Sequence, residues 1–312
     1  MNQNSKPAIA AVDWGTTRLR VWLLDGKGAV LDERRGDEGL LTAQHKGFAP
    51  ILDNHLASMG AAADLPAIVC GMAGARQGWV EAPYVDVPAS LADILGAAVP
   101  VPGVARDVRI VPGLAQRKAG APDVMRGEET QLAGVAAEIG SGRHLVCMPG
   151  THCKWVGVDD GAVSGFGTWP TGEMFSVLAG HSILRHSLGE KPAPVAPDNA
   201  TFQEWCREAL TDGDIGARLF GIRAAGLLSG LGQADAAAAL SGLLIGAEIV
   251  SATRRFGKRD TPVVLVGSGP LGALYAEALR LGGLSVRIAD ADKAVLSGLV
   301  AAARRNGMLA EG

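Results

Sequence analysis

At 312 residues the chain is long enough for two domains of ordinary size, each with its own core. Hydrophobic residues make up 48% and charged residues 20%, and the net charge is −3, which gives no electrostatic bias toward nucleic acid or a membrane surface, so neither is an expected partner. Aromatics at 4% are too sparse for base-stacking platforms.

The opening MNQNSKP lacks the apolar core of a signal peptide, and no segment has the long uncharged apolar run of a membrane span. A cytoplasmic protein is therefore expected, with Asn2 to Pro7 as a frayed tail. An apolar strand, Ala8 to Val12, then runs into Asp13 and a polar turn, Gly15-Thr16-Thr17, before Arg18 to Leu24 returns as a second strand. Gly and two Thr offer backbone N–H groups and hydroxyls to an anion. A carboxylate at the strand end, Asp13, suits a divalent cation. Taken alone, the stretch reads equally well as an ordinary hairpin.

Ala29 to Arg35 completes a meander, Phe48 to Met59 has helical spacing, and Pro66 to Cys70 is a short strand. The Gly-studded loop at its end, Gly71 to Trp79, sits where open α/β sheets bind ligands. Val108 to Pro112 reads as another strand and Leu114 to Asp123 as a loose linker. The loose linker thus predicts one domain over 1–113 and a second over 114–291.

Val124 to Leu132 opens the second half with two adjacent acids, Glu128 and Glu129, in the first turn of a helix, where the dipole favours them whatever the function. Leu145 to Met148 is then a strand, Gly150-Thr151-His152 a tight turn, Cys153 to Val158 a strand, and Ala162 to Thr168 another. The N-terminal design occurs twice. Asn199 to Gly232 reads as a helical insertion, contributing core and a candidate face for a homodimer. Val263 to Gly272 is a literal GxGxxG between strand and helix, with Asp290 where a dinucleotide fold places its ribose acid. Only 22 residues follow Asp290, too few for the remaining strands, so NAD is the lesser alternative. Cys70, Cys147, Cys153 and Cys206 form no CxxC pair and read as reduced core thiols. His45, His55, His144, His181 and His186 show no ligand spacing.

The turns Asp13 to Thr17, Gly150 to His152 and Gly267-Ser268-Gly269 come in the order of the sugar kinase, Hsp70 and actin superfamily. The segments Leu240 to Glu248 and Ala294 to Ala302 look like its small-residue connecting helices. More narrowly, DWGTT, GMAGARQGW, VMRGEETQL, MPGTHCKWV, TGEMF and LSGLLIGAE together resemble the 2-dehydro-3-deoxygalactonokinase family over nearly the whole chain. The resemblance implies an α/β, two-domain actin-like ATPase (ribonuclease H-like) fold with duplicated βββαβαβα units and an interdomain cleft, and it alone implies a C-terminal helix at 292–312 returning to the first domain. It also implies phosphoryl transfer from ATP, with Mg2+, to the 6-hydroxyl of 2-dehydro-3-deoxy-D-galactonate.

On that reading Asp13 orients Mg2+, and Gly15, Thr16 and Thr17 hold the β- and γ-phosphates. Gly150, Thr151 and His152 face them, and Gly267, Ser268 and Gly269 contact the α-phosphate or adenosine. Lys154 is either a phosphate partner or a solvated strand residue. A hydroxyl that attacks must lose its proton. Similarity to exopolyphosphatases points to Glu128 or Glu129 as the base, Glu128 preferred, with Glu173 the reserve. Recognition of a carboxylate substrate calls for an Arg fork, and the candidates are Arg18, Arg76 and Arg126, the last two preferred, with Trp79 and Tyr84 as pocket walls. A non-catalytic nucleotide sensor of the same fold and a phosphohydrolase are the rival readings.

Overall fold

The computed structural model describes residues 6–257 and 261–310; residues 2–5 of the expected tail and 311–312 of the expected C-terminal helix lie outside them. The chain forms two compact units, residues 1–140 with 161–164 and 291–312, and residues 141–160 with 165–290.

The first unit begins with β1 (Ile9–Trp14), β2 (Leu19–Leu24) and β3 (Val30–Gly36), an antiparallel meander. Helices α1 (Leu40–Lys46) and α2 (Phe48–Ser58) follow, then β4 (Ala67–Gly71), which pairs parallel to β1. Next come the two-residue strands β5 (Val85–Asp86) and β6 (Ala89–Ser90), α3 (Leu91–Gly96) and β7 (Val99–Pro100). The unit continues through β8 (Val108–Ile110), β9 (Leu114–Gln116), β10 (Asp123–Met125) and α4 (Glu128–Ile139). Its main sheet has the order β3-β2-β1-β4-β8-β7. β1 is apolar at nearly every position because both faces are covered. Ala10, Val12 and Trp14 pack with Leu52 and Leu56 of α2, while Ile9 and Ala11 meet Val295 and Leu299 of the C-terminal helix.

The second unit holds β11 (Arg143–Met148), β12 (Cys153–Asp159) and most of β13 (Ala162–Trp169). Helices α5 (Thr171–His181), α6 (Arg185–Leu188), α7 (Ala200–Asp212), α8 (Ile215–Leu228) and α9 (Gln233–Phe256) follow. The unit closes with β14 (Val263–Val266), α10 (Gly269–Leu281) and β15 (Val286–Ala289), after which α11 (Ala291–Arg305) belongs to the first unit. The strands run β15-β14-β11-β12-β13, antiparallel between β11 and β12 and parallel from β11 through β14 to β15. Counted within each unit, the main strands stand in one order, 3-2-1-4-5. This is the duplicated βββαβαβα pattern of the actin-like ATPase fold. β15 is the sheet edge, so the GxGxxG after β14 serves no longer dinucleotide domain.

The boundary expected at 113/114 moves to 140/141. β9 pairs with β5, Val85 opposite Leu114, and α4 packs on α11, which fixes residues 114–140 to the first unit despite their Pro and Gly content. The start of β13 also counts there, with Val163 paired to Ala89.

The small residues of α9 and α11 are used inside each unit. A Cβ on Gly298 would lie 1.9 Å from the Thr130 carbonyl oxygen, and one on Gly134 would lie 1.8 Å from that of Ala294, so α4 and α11 touch backbone to backbone. In the second unit, Gly242 lies under the Phe202 carbonyl and Gly246 under that of Cys206, seating α9 on α7. Among the described residues, α9 is the helix long and apolar enough to cross a membrane; its residues 236–250 are all buried inside the unit. The insertion read at 199–232 is α7 and α8, and α8 leaves Phe220, Leu227 and Leu228 exposed.

Candidate functional site

In the first unit the polar residues gather where β1 and β4 end side by side, Asp13 in register with Cys70 and Trp14 with Gly71. Gly71 has a φ of 87°, and a Cβ there would lie 2.5 Å from the Trp14 carbonyl oxygen and 3.6 Å from Asp13 Oδ1. Only glycine fits so close an approach. Gly127, with φ 104°, comes next, a Cβ on it falling 3.4 Å from the Gly71 Cα. The start of α4 is thereby set against the ends of two strands.

Asp13 is half-buried and accepts the Cys70 thiol at 3.8 Å. Burial raises its carboxyl above the ordinary value, with the Arg20 charge and the Cys70 contact pulling the other way. The turn beyond is pinned by Gly15 N–H donating to the Arg18 carbonyl at 2.8 Å and Leu40 N–H donating to the Gly15 carbonyl at 3.0 Å. Thr16, Thr17 and Arg18 are exposed.

Glu128 and Glu129 part company at the helix start. Glu129 is fully buried; its Oε2 accepts the Gly127 N–H at 2.6 Å and its Oε1 accepts the Thr130 hydroxyl at 2.9 Å. Burial, reinforced by the neighbouring Glu128 charge, lifts its carboxyl to about 7. Glu128 is half-buried, and its Oε2 accepts the Arg126 N–H at 3.1 Å. Of the two, Glu128 is the one a ligand can reach.

Arg126 lies on the same corner. Its guanidinium carbon is 4.4 Å from the centre of the Tyr84 ring, and Nη2 donates to the Ala82 carbonyl at 2.8 Å. Nε and Nη1 are buried and have no acceptor among the described residues. A Cβ on Gly74 would stand 2.7 Å from Nη1, so the Gly loop leaves the guanidinium its room. Two buried donors without an acceptor carry a large desolvation cost unless a ligand or water supplies one. Arg76, in the same loop, is exposed. Trp79 does not wall this corner with Tyr84. It stacks on Phe48 at 5.8 Å, meets Trp14 edge-on at 6.0 Å, and borders a separate cavity of about 530 Å3 beside Asp53 and Arg106. Its aromatic neighbours Trp14 and Phe48 hold it there, half-buried against the edge of the core. The cavity's charged groups already satisfy each other, Arg106 giving Nε and Nη2 to Asp53 at 3.1 and 2.9 Å.

The second unit repeats the turn with different chemistry. Aligned on Gly15 and Gly150, the place of Asp13 is taken by Met148. A Cβ on Gly172 would lie 2.8 Å from the Gly150 carbonyl oxygen, and Glu173 N–H donates to the Thr151 carbonyl at 3.1 Å. The N-terminus of α5 thus adjoins Gly150-Thr151-His152, a corner suited to an anion. His152 and Glu173, both exposed, are 2.8 Å apart. Lys154 is not a solvated strand residue: it is buried and its Nζ donates to the Thr168 hydroxyl at 2.7 Å. Gly267 and Gly272 pack 3.3 Å apart by the same Cβ measure, seating α10 on β14, and Ser268 is the residue that precedes the helix.

Between the turn and α10 lies a mainly apolar pocket of about 280 Å3, lined among others by Gly150, Thr171, Ala193, Ser241, Leu271 and Tyr275. Sequence reasoning missed it, because Ala193 and Ser241 come from distant segments. It also missed Glu248, whose signal was a lone acid inside an apolar helix. The buried Glu248 carboxylate accepts Trp155 Nε1–H at 2.7 Å, the Tyr275 hydroxyl at 2.6 Å, and the Thr171 hydroxyl. Cys147, Cys153 and Glu248 place a ligand atom each within 4.8 Å of one another. With the carboxylate committed to three donors and burial raising both thiols, this is a hydrogen-bonded core rather than a metal site.

Residues 13–302 match the family described as 2-keto-3-deoxy-galactonokinase. The chain is 54% identical over 296 residues to a Rhizobium meliloti (strain 1021) protein named as a probable 2-dehydro-3-deoxygalactonokinase, DgoK1, covering 95% of this chain and 96% of that one. It is 34% identical over 289 residues to the 2-dehydro-3-deoxygalactonokinase of Escherichia coli (strain K12), covering 93% and 95%. A crystal structure of a Sinorhizobium meliloti protein assigned to the same activity superposes with a TM-score of 0.91 at 54% identity, over 95% of this chain and 98% of that chain.

Proposed function

Because the chain belongs to the 2-keto-3-deoxy-galactonokinase family, whose members are sugar-acid phosphotransferases using ATP, we propose that its substrate is 2-dehydro-3-deoxy-D-galactonate. The γ-phosphoryl of ATP passes to the 6-hydroxyl, giving the 6-phospho acid and ADP, a step of galactonate catabolism that belongs in the cytoplasm. The observation that carries this reading is Arg126, with Nε and Nη1 buried beside an accessible acid and lacking an acceptor among the described residues. A planar fork held by Tyr84 and Ala82 is matched to a carboxylate. Arg76 and Arg18, both exposed, are the additional cations toward the substrate.

The attacking oxygen forms its bond to the γ-phosphorus as the bond to the ADP oxygen breaks in line, and its proton goes to a carboxylate. Glu128 takes that role, since Glu129 spends both oxygens on its own helix start. The exposed turn Gly15-Thr16-Thr17 offers donors to the terminal phosphates. Gly150-Thr151-His152 with the start of α5 offers a second set, and Lys154 is a buried positive charge two strand residues further on. The pocket beside Gly267-Ser268-Gly269 has the size and apolar wall for an adenine ring.

Asp13 fits a magnesium ion. It is a hard oxygen donor at a strand end whose side-chain partner is a weakly donating thiol, and a single carboxylate plus phosphate oxygens and water is the usual Mg2+ arrangement. When bound, the ion would neutralise phosphate charge.

The test is a panel of 2-keto-3-deoxy sugar acids and neutral hexoses, with ADP release as the readout. ADP release only with the acids, fastest with the galactonate-derived one, is the expected result. Phosphorylation of a neutral hexose at a comparable rate would remove Arg126 from recognition. ADP release without any sugar would make the protein a phosphohydrolase. Glu128→Gln should abolish turnover, by about 10²–10⁴-fold, with ADP binding retained.

A further inference from the structure

Asp13, Arg20 and Arg35 form one row across the first unit's sheet. Asp13 on β1 is directly opposite Arg20 on β2, and Arg20 is directly opposite Arg35 on β3. Residues paired in this way share a face, with their Cβ atoms about 5 Å apart. Geometry alone would let Arg20 close an ion pair onto Asp13. Among the described residues it does not. Arg20 Nη1 is paired instead with Asp292 Oδ1, in the first turn of α11, and Arg35 Nη2 reaches Asp292 Oδ2 at 3.3 Å. Arg35 is held besides by Glu33 at 2.6 Å. On the other side of the row, Cys70 of β4 is in register with Asp13 and gives it a thiol.

Resting on the assignment of Asp13 to the cation, we propose that Asp292 is a positioning residue that keeps Arg20 off Asp13. The physical choice is a competition between two carboxylates for one guanidinium. Asp292 also stabilises the N-terminus of α11, as any acid there would, but helix stability does not need Arg20. Holding Arg20 at Asp292 keeps the Asp13 oxygens out of a direct ion pair, so that Arg20 acts on them only through its charge and the oxygens stay open to a hard cation. Without Asp292, Asp13 is the anion directly opposite Arg20. An Asp13–Arg20 pair would then have to break before an ion could bind.

Manganese reports binding directly by electron paramagnetic resonance, so the probe is Mn2+ titrated into the full-length protein in the presence of ADP. Asp292→Asn should raise the Mn2+ dissociation constant about ten-fold, an ordinary size for coupled charged neighbours. Arg20→Gln should bind Mn2+ at least as tightly as the wild type, and the double variant should return to within about two-fold of it. A merely structural Asp292 would show lower melting temperatures in both single variants and no recovery in the double. Wild-type Mn2+ binding in Asp292→Asn, or a double variant as weak as Asp292→Asn, overturns the proposal. So does weakened binding in Arg20→Gln, a variant that does not depend on how Asp292→Asn folds. Asp13→Asn separates this from the underlying assignment: it should lose Mn2+ binding, and if it does not, Asp13 is not the cation ligand and both statements fall.

Discussion

The guanidinium of Arg126 rests 4.4 Å over the Tyr84 ring while two of its three nitrogens have no acceptor among the described residues. A ring below and one carbonyl at the side fix the orientation of the fork before any ligand arrives, so little side-chain entropy remains to be lost on binding. Arg126→Lys keeps the charge and loses the fork. Its kcat/KM for the sugar acid should fall by about 10–100-fold, the range for a charged hydrogen bond, with the KM for ATP unchanged. Tyr84→Leu should cost about ten-fold, since a cation–π contact to a half-buried guanidinium is worth about 1–2 kcal/mol. Steady-state kinetics with each substrate varied in turn checks both.

Glu129 makes a prediction about stability rather than rate. Its carboxyl titrates at an ordinary 4.5 when unfolded and at about 7 when folded. Between those values the native state holds the proton more tightly, so stability falls as pH rises through that window and is level above it. Glu129→Gln removes the charge, keeps the Gly127 N–H bond through the amide oxygen, and turns the Thr130 bond round, the amide N–H donating to the hydroxyl oxygen. The variant should be more stable than the wild type above pH 7 by about 1–3 kcal/mol, the gap closing below about pH 4.5. Urea unfolding at pH 5 and pH 8 measures it; equal gaps at the two pH values would refute the burial argument.

Filling the second unit's pocket should separate the two substrates. Ala193 lines it and is half-buried on a loop, so Ala193→Trp can occupy the space without disturbing a helix. The affinity for ADP, measured by calorimetry, should drop at least about ten-fold, the loss expected when an apolar ligand is denied its pocket. The KM for the sugar acid should not move.

The contact of α4 with α11 should tolerate no side chain. Gly298→Ala puts a methyl 1.9 Å from the Thr130 carbonyl oxygen, and forcing the helices apart should cost about 2–4 kcal/mol, at the upper end of overpacking effects. Gly216→Ala, on exposed α8 with its nearest neighbour 3.6 Å away, is the control and should gain up to about 1 kcal/mol from helix propensity. Thermal melts of both variants make the comparison.

Much of this was legible in the chain. The repeated strand, Gly-Thr turn, strand pattern predicted two like sheets because alternation and turn chemistry are local properties. Asp13 and the acid pair were singled out for the same reason. What the sequence could not show depends on which layer covers which face. Lys154 stands in a strand whose alternation fits burial and exposure equally well, and only the contact with Thr168 of the neighbouring strand decides. Trp79 belongs to a Gly loop by sequence, yet Phe48 draws it against the edge of the core. Leu114 to Asp123 looks like a linker until Leu114 is seen pairing with Val85. The unpartnered nitrogens of Arg126 have no signature in one dimension at all.

Asp13 and Met148 hold equivalent places in the repeat, and the buried ammonium of Lys154 corresponds to Leu19. The two units therefore share a strand order but not their turn chemistry, one acidic where the other is basic. A polypeptide assembled from the first copy twice would inherit a pair of carboxylate turns and no lysine at the Lys154 position, and one assembled from the second would inherit the reverse. Neither should turn over, however well it folded.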